Sequence, residues 1–420
     1  MSVSEFSVNA GLGNVNLFSL VRYFEESKIL QKLHGYYEAR VHEYNLKAGV
    51  SVEEDLGDSA VSVVQPFLSF LMCLTEAEGD GRIALYREEK TGQAKLSYQL
   101  LNASAHFKEV VEEAHAVVLA GGTMQPMTDY IQQLMPGLPA KRLRTLSVGH
   151  VVPDENILPL TLSRGPTGVA FDLRHGSRSS PALMEELARV VLNVTSVVPD
   201  GVVLFLPSYS YEEELFQFWL AKGYIDKIEK KKKVLREPRE SANTDAVLEE
   251  FAHHINNNYE HGRAGETKAQ ESAPANRCTG ALLLSVVGGK LSEGINFADG
   301  LGRCVIVAGL PFANAADPQL QERIKYITNL PAASALAALN GGDESKVVPV
   351  GNKAGQEFYQ NMCMKAVNQC IGRAIRHVAD YAAIILIDQR YQTEGVRGKI
   401  AAWIRKRLSP VHVMICDMTL

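Results

Sequence analysis

The sequence predicts an α/β fold, a parallel sheet with flanking helices, joined to a mostly helical accessory region. Three observations lead there. Short apolar runs recur at Val202–Pro207, Ala281–Gly289, Cys304–Gly309 and Ala382–Asp388, several ending in glycine or serine turns. Helical stretches separate them, as crossover connections between parallel strands require. The first 95 residues lack this alternation.

Along the chain, Leu17–Tyr37 (LFSLVRYFEESKILQKLHGYY) spaces apolar residues at three- and four-residue steps and reads as one or two amphipathic helices. The turn Glu76–Gly81 (EAEGDG) separates the apolar stretch Val64–Leu74 from the strand-like IALYREE, so helices and a hairpin are expected over 1–95. ASAHFKEVVEEA then reads as a helix, and AVVLA (Ala116–Ala120) as a short buried strand before Gly121, Gly122 and Thr123. The main α/β domain is expected over 129–408, with 96–128 as a separate segment before it. Within it, SYSYEEELFQFWLAKG and Glu357–His377 read as helices, and 259–277 and 339–355 as loops. Residues 409–420 read as a divergent tail.

Composition narrows the function class. With 46% hydrophobic and 22% charged residues, the chain has a globular balance, and its net charge of −5 means that a nucleic-acid partner would need a local groove. Six cysteines at 73, 278, 304, 363, 370 and 416 lack the close pairing of zinc or iron–sulfur ligands, and no metal site is expected. No basic leader and no run of about 18 apolar residues marks secretion or a membrane span.

Four segments carry candidate chemistry. AGGTM (Ala120–Met124) sets a hydroxyl, Thr123, on a flexible turn. LPSYSY (Leu206–Tyr211) brings Ser208 and Tyr209 to a strand-to-helix junction, where amides and hydroxyls hold phosphate and rings stack on bases. VVGGKLSEGINFADGLGR (Val286–Arg303) combines five glycines with Lys290, Glu293, Asp299 and Arg303. In QCIGRAIRH, helical spacing puts Gln369, Arg373 and Arg376 on one face, where two guanidinium groups and an amide can neutralise a transferring phosphoryl group. An ordinary structural reading exists for each: a turn, a serine cap with packed tyrosines, a glycine loop, a solvated basic face. The basic run Lys227–Arg236 (KIEKKKKVLR) reads as a solvated helix face, with contact to DNA phosphates as the alternative. No GxxxxGK[ST] phosphate loop occurs, and the glycine fingerprint of a dinucleotide enzyme is missing.

Taken in order, AVVLAGGTMQP, FLPSYSY, SVVGGKLSEGINFADGLGRCVIVAGLPF and MKAVNQCIGRAIRHVADYAAIILIDQRY resemble motifs III to VI of the XPD-like iron–sulfur class of superfamily 2 DNA helicases, nearest to its DEAH-box branch linked to sister-chromatid cohesion. The resemblance runs from about Asn14 to about Leu408. It implies a RecA-like second motor domain, one of two that close on ATP and single-stranded DNA to drive 5′–3′ unwinding. Gln369, Arg373 and Arg376 would face ATP as catalytic residues. Gly289, Glu293, Gly294 and Asp299, with the two arginines, would line the nucleotide. Gly122 and Thr123 would belong to the coupling motif, and Thr123, Ser208, Tyr209 and Lys290 would lie along the nucleic acid.

By the same resemblance, residues 1–95 would be the end of an arch insertion and 96–128 the last segment of the first motor domain. Cofactors would be ATP and Mg2+ and, in the family, an iron–sulfur cluster whose cysteine ligands this chain lacks. Partners would be single-stranded or forked DNA and cohesion or replication proteins, in the nucleus. The departures are specific: no GK[ST] is present, and EEAH at 112–115 is helical rather than a strand-ended DEAH box. The chain is therefore expected to be the C-terminal part of such an enzyme, a partial gene product, a splice form or an incomplete gene model, that is inactive alone. The alternative is a noncatalytic DNA- or protein-binding module of the same descent.

Overall fold

The computed structural model describes residues 1–48, 61–75, 80–87, 92, 94–239, 244–264, 278–294, 297, 299–330 and 352–411. They form two compact units: Met1–His115 with Gln133–Met135 and Ala316–Leu330, and Ala116–Gln132 with Pro136–Ala315 and Pro331–Leu420.

The first unit opens with α1 (Val3–Asn9), whose start is fixed by a reciprocal Ser2–Glu5 capping box. The segment Leu17–Tyr37 contributes to two helices, α2 (Leu17–Ser27) and α3 (Ile29–Ala48), because Lys28 adopts a left-handed conformation with φ of 50°. Next come α4 (Val61–Thr75) and the antiparallel hairpin of β1 (Gly81–Arg87) and β2 (Ala94–Leu100). Asn102 caps α5 (Ala103–Glu113). Val3, Leu71, Leu74 and Ile83 form the small core. Residues 316–330 join this unit through Gln319 to Ser97 at 2.8 Å and Glu322 to Arg82 at 3.4 Å.

In the second unit the elements follow as α6 (Thr128–Leu134), β3 (Ile157–Leu162), α7 (Pro181–Val197), β4 (Asp200–Leu206), α8 (Tyr209–Ala221), α9 (Tyr224–Glu229), β5 (Lys233–Arg236), α10 (Thr244–Ala264), β6 (Gly280–Val286), α11 (Lys290–Gly294) and β7 (Cys304–Ala308). After α12 (Pro318–Asn329), part of the first unit, come α13 (Asn352–Ile371), β8 (Ala382–Ile387), α14 (Glu394–Arg397), α15 (Ala402–Arg405) and β9 (Ser409–Val411). The seven strands form a parallel sheet in the order β5-β6-β4-β7-β8-β3-β9. Alternation along each strand supplies two cores. Val203, Phe205, Leu283, Val305 and Leu386 pack with Phe251 of α10 and Met364 and Val367 of α13. Val202, Leu204, Leu282, Ile306 and Ile385 pack with Leu187 and Val191 of α7 and Trp219 of α8. A sheet buried on both faces explains why its strands read as continuous apolar runs. The layered parallel sheet is the expected α/β class.

Several expectations need correction. Ala116–Ala120 forms no strand; among the described residues it has no ladder partner, and Val118 is 84% exposed. An apolar run becomes a strand only where a neighbouring strand satisfies its amides. Residues 259–264, expected as loop, are the end of α10, while 265–277 lie outside the described residues. Residues 352–355, expected as loop, open α13, while 339–351 lie outside the described residues. The basic run 227–236 is not one helix face: it spans the end of α9, a turn and β5. Ser409–Val411, expected in the tail, pairs with β3 as an edge strand. No helix among the described residues is long and apolar enough to cross a membrane.

Candidate functional site

At the carboxyl edge of the sheet, β4 runs into Ser208, whose hydroxyl accepts from the Tyr211 amide at 3.3 Å and caps α8. Arg178, from the segment between β3 and α7, reaches the same point; its guanidinium lies 4.7 Å over the Tyr211 ring and donates to Ser208 Oγ at 3.4 Å. Burial lowers its pKa. Glu237, just beyond β5, organises the neighbouring loop. One carboxylate oxygen accepts from Tyr209 Oη at 3.0 Å and the Leu291 amide at 3.1 Å, and the other from Ser285 Oγ at 2.7 Å and the Val286 amide at 2.8 Å. Burial, reinforced by the Glu237 charge, pushes the Tyr209 phenol up to about 12, so it remains a neutral donor. Gly289 sits tightly against this pair: a Cβ there would stand 2.3 Å from the Glu237 carboxylate and 2.9 Å from Tyr209 Oη.

The amino edge holds a different cluster. Asp299 starts the short turn before β7, with φ of 54°, a region Asp tolerates. Its backbone amide approaches Asp380 Oδ2 at 3.5 Å, the Arg376 amide donates to the same oxygen at 3.2 Å, and the Tyr381 amide donates to Oδ1 at 2.9 Å. Arg303 completes the group, donating to Asp380 Oδ1 at 2.8 Å and lying 3.9 Å over the Tyr381 ring. His377 Nε2 is 2.9 Å from Asp299 Oδ1.

The expectation that Gln369, Arg373 and Arg376 share one helical face is overturned. α13 ends at Ile371, and the amides of Arg373 and Ala374 bond back only three residues, to Cys370 and Ile371. Ala374 and Ile375 are buried, while Asp380 captures the Arg376 amide, so burial and a carboxylate outcompete helix continuation. Of the three, only Gln369 lies on the helix; Arg373 lies in the turn that follows and Arg376 in the irregular segment after it.

The structure thus divides the expected residues. Ser208, Tyr209, Gly289 and Lys290 lie at the carboxyl edge, with Glu293 and Gly294 on the short helix α11 leading away from it. Asp299 and Arg376 meet through Asp380 at the amino edge. Thr123 lies beside Gly372, its hydroxyl 3.5 Å from where a Cβ would stand, and so neighbours the arginine segment. Sequence reasoning missed Glu237, Asp380 and Arg178. The first two carried a faint signal, a carboxylate flanking an apolar strand, but their partners lie far along the chain.

Among the described residues, no three cysteines lie close enough to share a metal ion. Burial pushes the thiols of Cys304, Cys363 and Cys370 up to about 12, so these three remain protonated and are poor ligands, and Cys416 lies outside the described residues. Asp299, His377 and Asp380 bring one oxygen or nitrogen each within 4.8 Å of one another. The Asp380 oxygens already serve Arg303 and backbone amides.

Residues 191–407 match the helicase C-terminal domain family. The chain belongs to that family. Its helicase relatives include the ATP-dependent DNA helicase DDX11 of Danio rerio, 37% identical over 96% of this chain and 46% of the relative. The ATP-dependent DNA helicase chl1 of Aspergillus clavatus is 38% identical over 97% of this chain and 52% of the relative. The chain therefore spans about half the length of these curated helicases. A solved XPD helicase superposes with a TM-score of 0.51 at 17% identity, covering 91% of this chain and 56% of that one, a likeness of fold. The helicase kinship of the sequence and the RecA-like fold thus agree.

Proposed function

We propose that this chain is the C-terminal motor portion of an ATP-dependent 5′–3′ DNA helicase, with the amino edge of its sheet facing nucleotide and the carboxyl edge facing single-stranded DNA. The observation that carries the reading is the shared Asp380 carboxylate, which fixes the backbones of Arg376 and Asp299 together. Two segments that must act on one nucleotide are thereby held in register. The names of the relatives support the substrate class, and nuclear action on forked DNA with cohesion, replication or repair proteins is inferred from that kinship. The boundaries we propose are 1–95 for the arch portion, 96–128 for the end of the first motor domain and 129–408 for the second.

The residues fit one side of an ATP–Mg2+ site. Arg373 and Arg376 supply cations for phosphate oxygens, and Asp299 and Gln369 supply polar groups beside them. Bound ATP would supply the cleavable phosphoanhydride. A GK[ST] loop and a DEAH box, which cradle the phosphates and hold magnesium, do not occur in the sequence. The chain is thus half of a hydrolytic site, and completing it requires a second motor domain. This same lack favours, as a second reading, a noncatalytic DNA- or protein-binding module.

The test is ATP turnover by the purified chain with and without single-stranded DNA, with Arg376→Ala alongside. No turnover in either protein is expected. DNA-stimulated turnover that disappears in Arg376→Ala would overturn the half-site reading.

A further inference from the structure

We propose that Glu237 is a positioning residue that fixes Tyr209 as a stacking platform for unpaired bases, so that the carboxyl edge takes base faces on the tyrosine ring and phosphates on the surrounding cations. The inference rests on the nucleic-acid reading above and assigns the chemistry within it. It starts from the direction of one hydroxyl. Tyr209 Oη donates inward to Glu237 at 3.0 Å, and the raised phenol pKa keeps that proton in place. With its donor committed, Tyr209 has its ring to offer a ligand rather than a phosphate-directed hydroxyl.

The carboxylate that holds it is itself fixed by three further donors, Ser285 Oγ and the amides of Val286 and Leu291. These come from the end of β6 and the first turn of α11, so the ring is referenced to both loops at this edge. Gly289 lets the loop close over the pair, since a side chain there would collide with the carboxylate and the hydroxyl. The ring is half-buried, at the first residue of α8.

The surroundings select the ligand. Arg239 lies close enough to Tyr209 to act on its ionisation, and both Arg239 and Lys290 are exposed. Arg178 stands at Ser208. Of the acids nearby, Glu237 is turned inward onto its four donors, and Glu212 and Glu213 are engaged by Arg236 at 2.7–2.8 Å. A pinned aromatic ring among cations suits a polyanion carrying flat rings, which describes a single strand. In a duplex the base faces are already stacked.

The experiment compares binding of the full chain to a labelled oligothymidylate and to an abasic strand of the same length, by fluorescence anisotropy at one salt concentration. The unaltered chain is expected to favour the base-bearing strand by about five-fold or more, in line with one stacked base. Glu237→Gln is expected to shrink that ratio towards one. Tyr209→Phe, which keeps the ring and removes the tie, is expected to reduce it in a protein whose melting temperature is unchanged, which covers the case in which Glu237→Gln folds poorly. Lys290→Ala should weaken both strands equally. A ratio unchanged in Tyr209→Phe or in folded Glu237→Gln would overturn the inference while leaving the nucleic-acid reading intact. Failure of the unaltered chain to bind either strand would overturn both.

Discussion

Asp380 and Arg303 meet at 2.8 Å at the amino edge of the sheet, with side chains 0% and 8% exposed. Arg303 also stands 3.9 Å from the Asp200 carboxylate at the start of β4. Arg303 and its two carboxylate partners therefore link the starts of three adjacent strands, β4, β7 and β8, and Asp380 carries the backbone of Arg376 with them.

Removing one partner of such a pair leaves the other charge buried. Asp380→Ala is expected to destabilise the second unit by about 3–5 kcal/mol, well above the loss of one ordinary hydrogen bond. Urea denaturation followed by tryptophan fluorescence reads this directly. A loss below about 1 kcal/mol would show that the pair does not hold the edge together.

Gly201 on β4 packs against the turn that carries Asp299. A Cβ there would lie 2.2 Å from the Leu301 carbonyl oxygen and 2.8 Å from that of Gly300, both backbone atoms. Gly201→Ala should therefore displace the Asp299–Gly302 turn and cost about 1–3 kcal/mol. Gly176→Ala, where nothing lies within 4 Å, should stay within about 0.5 kcal/mol of the unaltered chain. Equal melting temperatures for the two variants would contradict the packing argument.

Lys232 gives a pH dependence. It is 0% exposed and donates to the carbonyls of Asp200 and Thr279 at 2.8 and 3.0 Å. Burial lowers its pKa from 10.5 to about 8, against the opposing pull of Asp200. The folded chain then releases a proton that the unfolded chain still holds. This contribution is fully present above 10.5, declines as pH falls through the window and is lost below about 8. Relative to Lys232→Met, the unaltered chain should gain up to about 3 kcal/mol between pH 7 and pH 10.5. Denaturation series at several pH values check this, and a difference that stays flat would rule it out.

The lysine also illustrates where sequence reading stops. In KIEKKKKVLR, four consecutive lysines are indistinguishable by composition, yet Lys232 is buried between two strands while Lys230 is exposed. The same limit applies at the arginine segment. Helical spacing runs unbroken through QCIGRAIRH, and the helix nevertheless ends at Ile371, because Asp380 and the core beneath Ala374 and Ile375 take the chain elsewhere.

By itself the sequence determined the strands from β4 to β8 apart from β5, the helices that cross between most of them, and the four motif segments in their order, since local periodicity records which side chains are buried. The tertiary structure decided that Val286–Arg303 starts at one edge of the sheet and finishes at the other, and that two carboxylates organise those edges. Glu237 and Ser285 are 48 residues apart, and Asp380 and Arg303 are 77 apart. No local pattern encodes such partners. They are set when parallel strands joined by crossovers bring distant ends of the chain to the same edge.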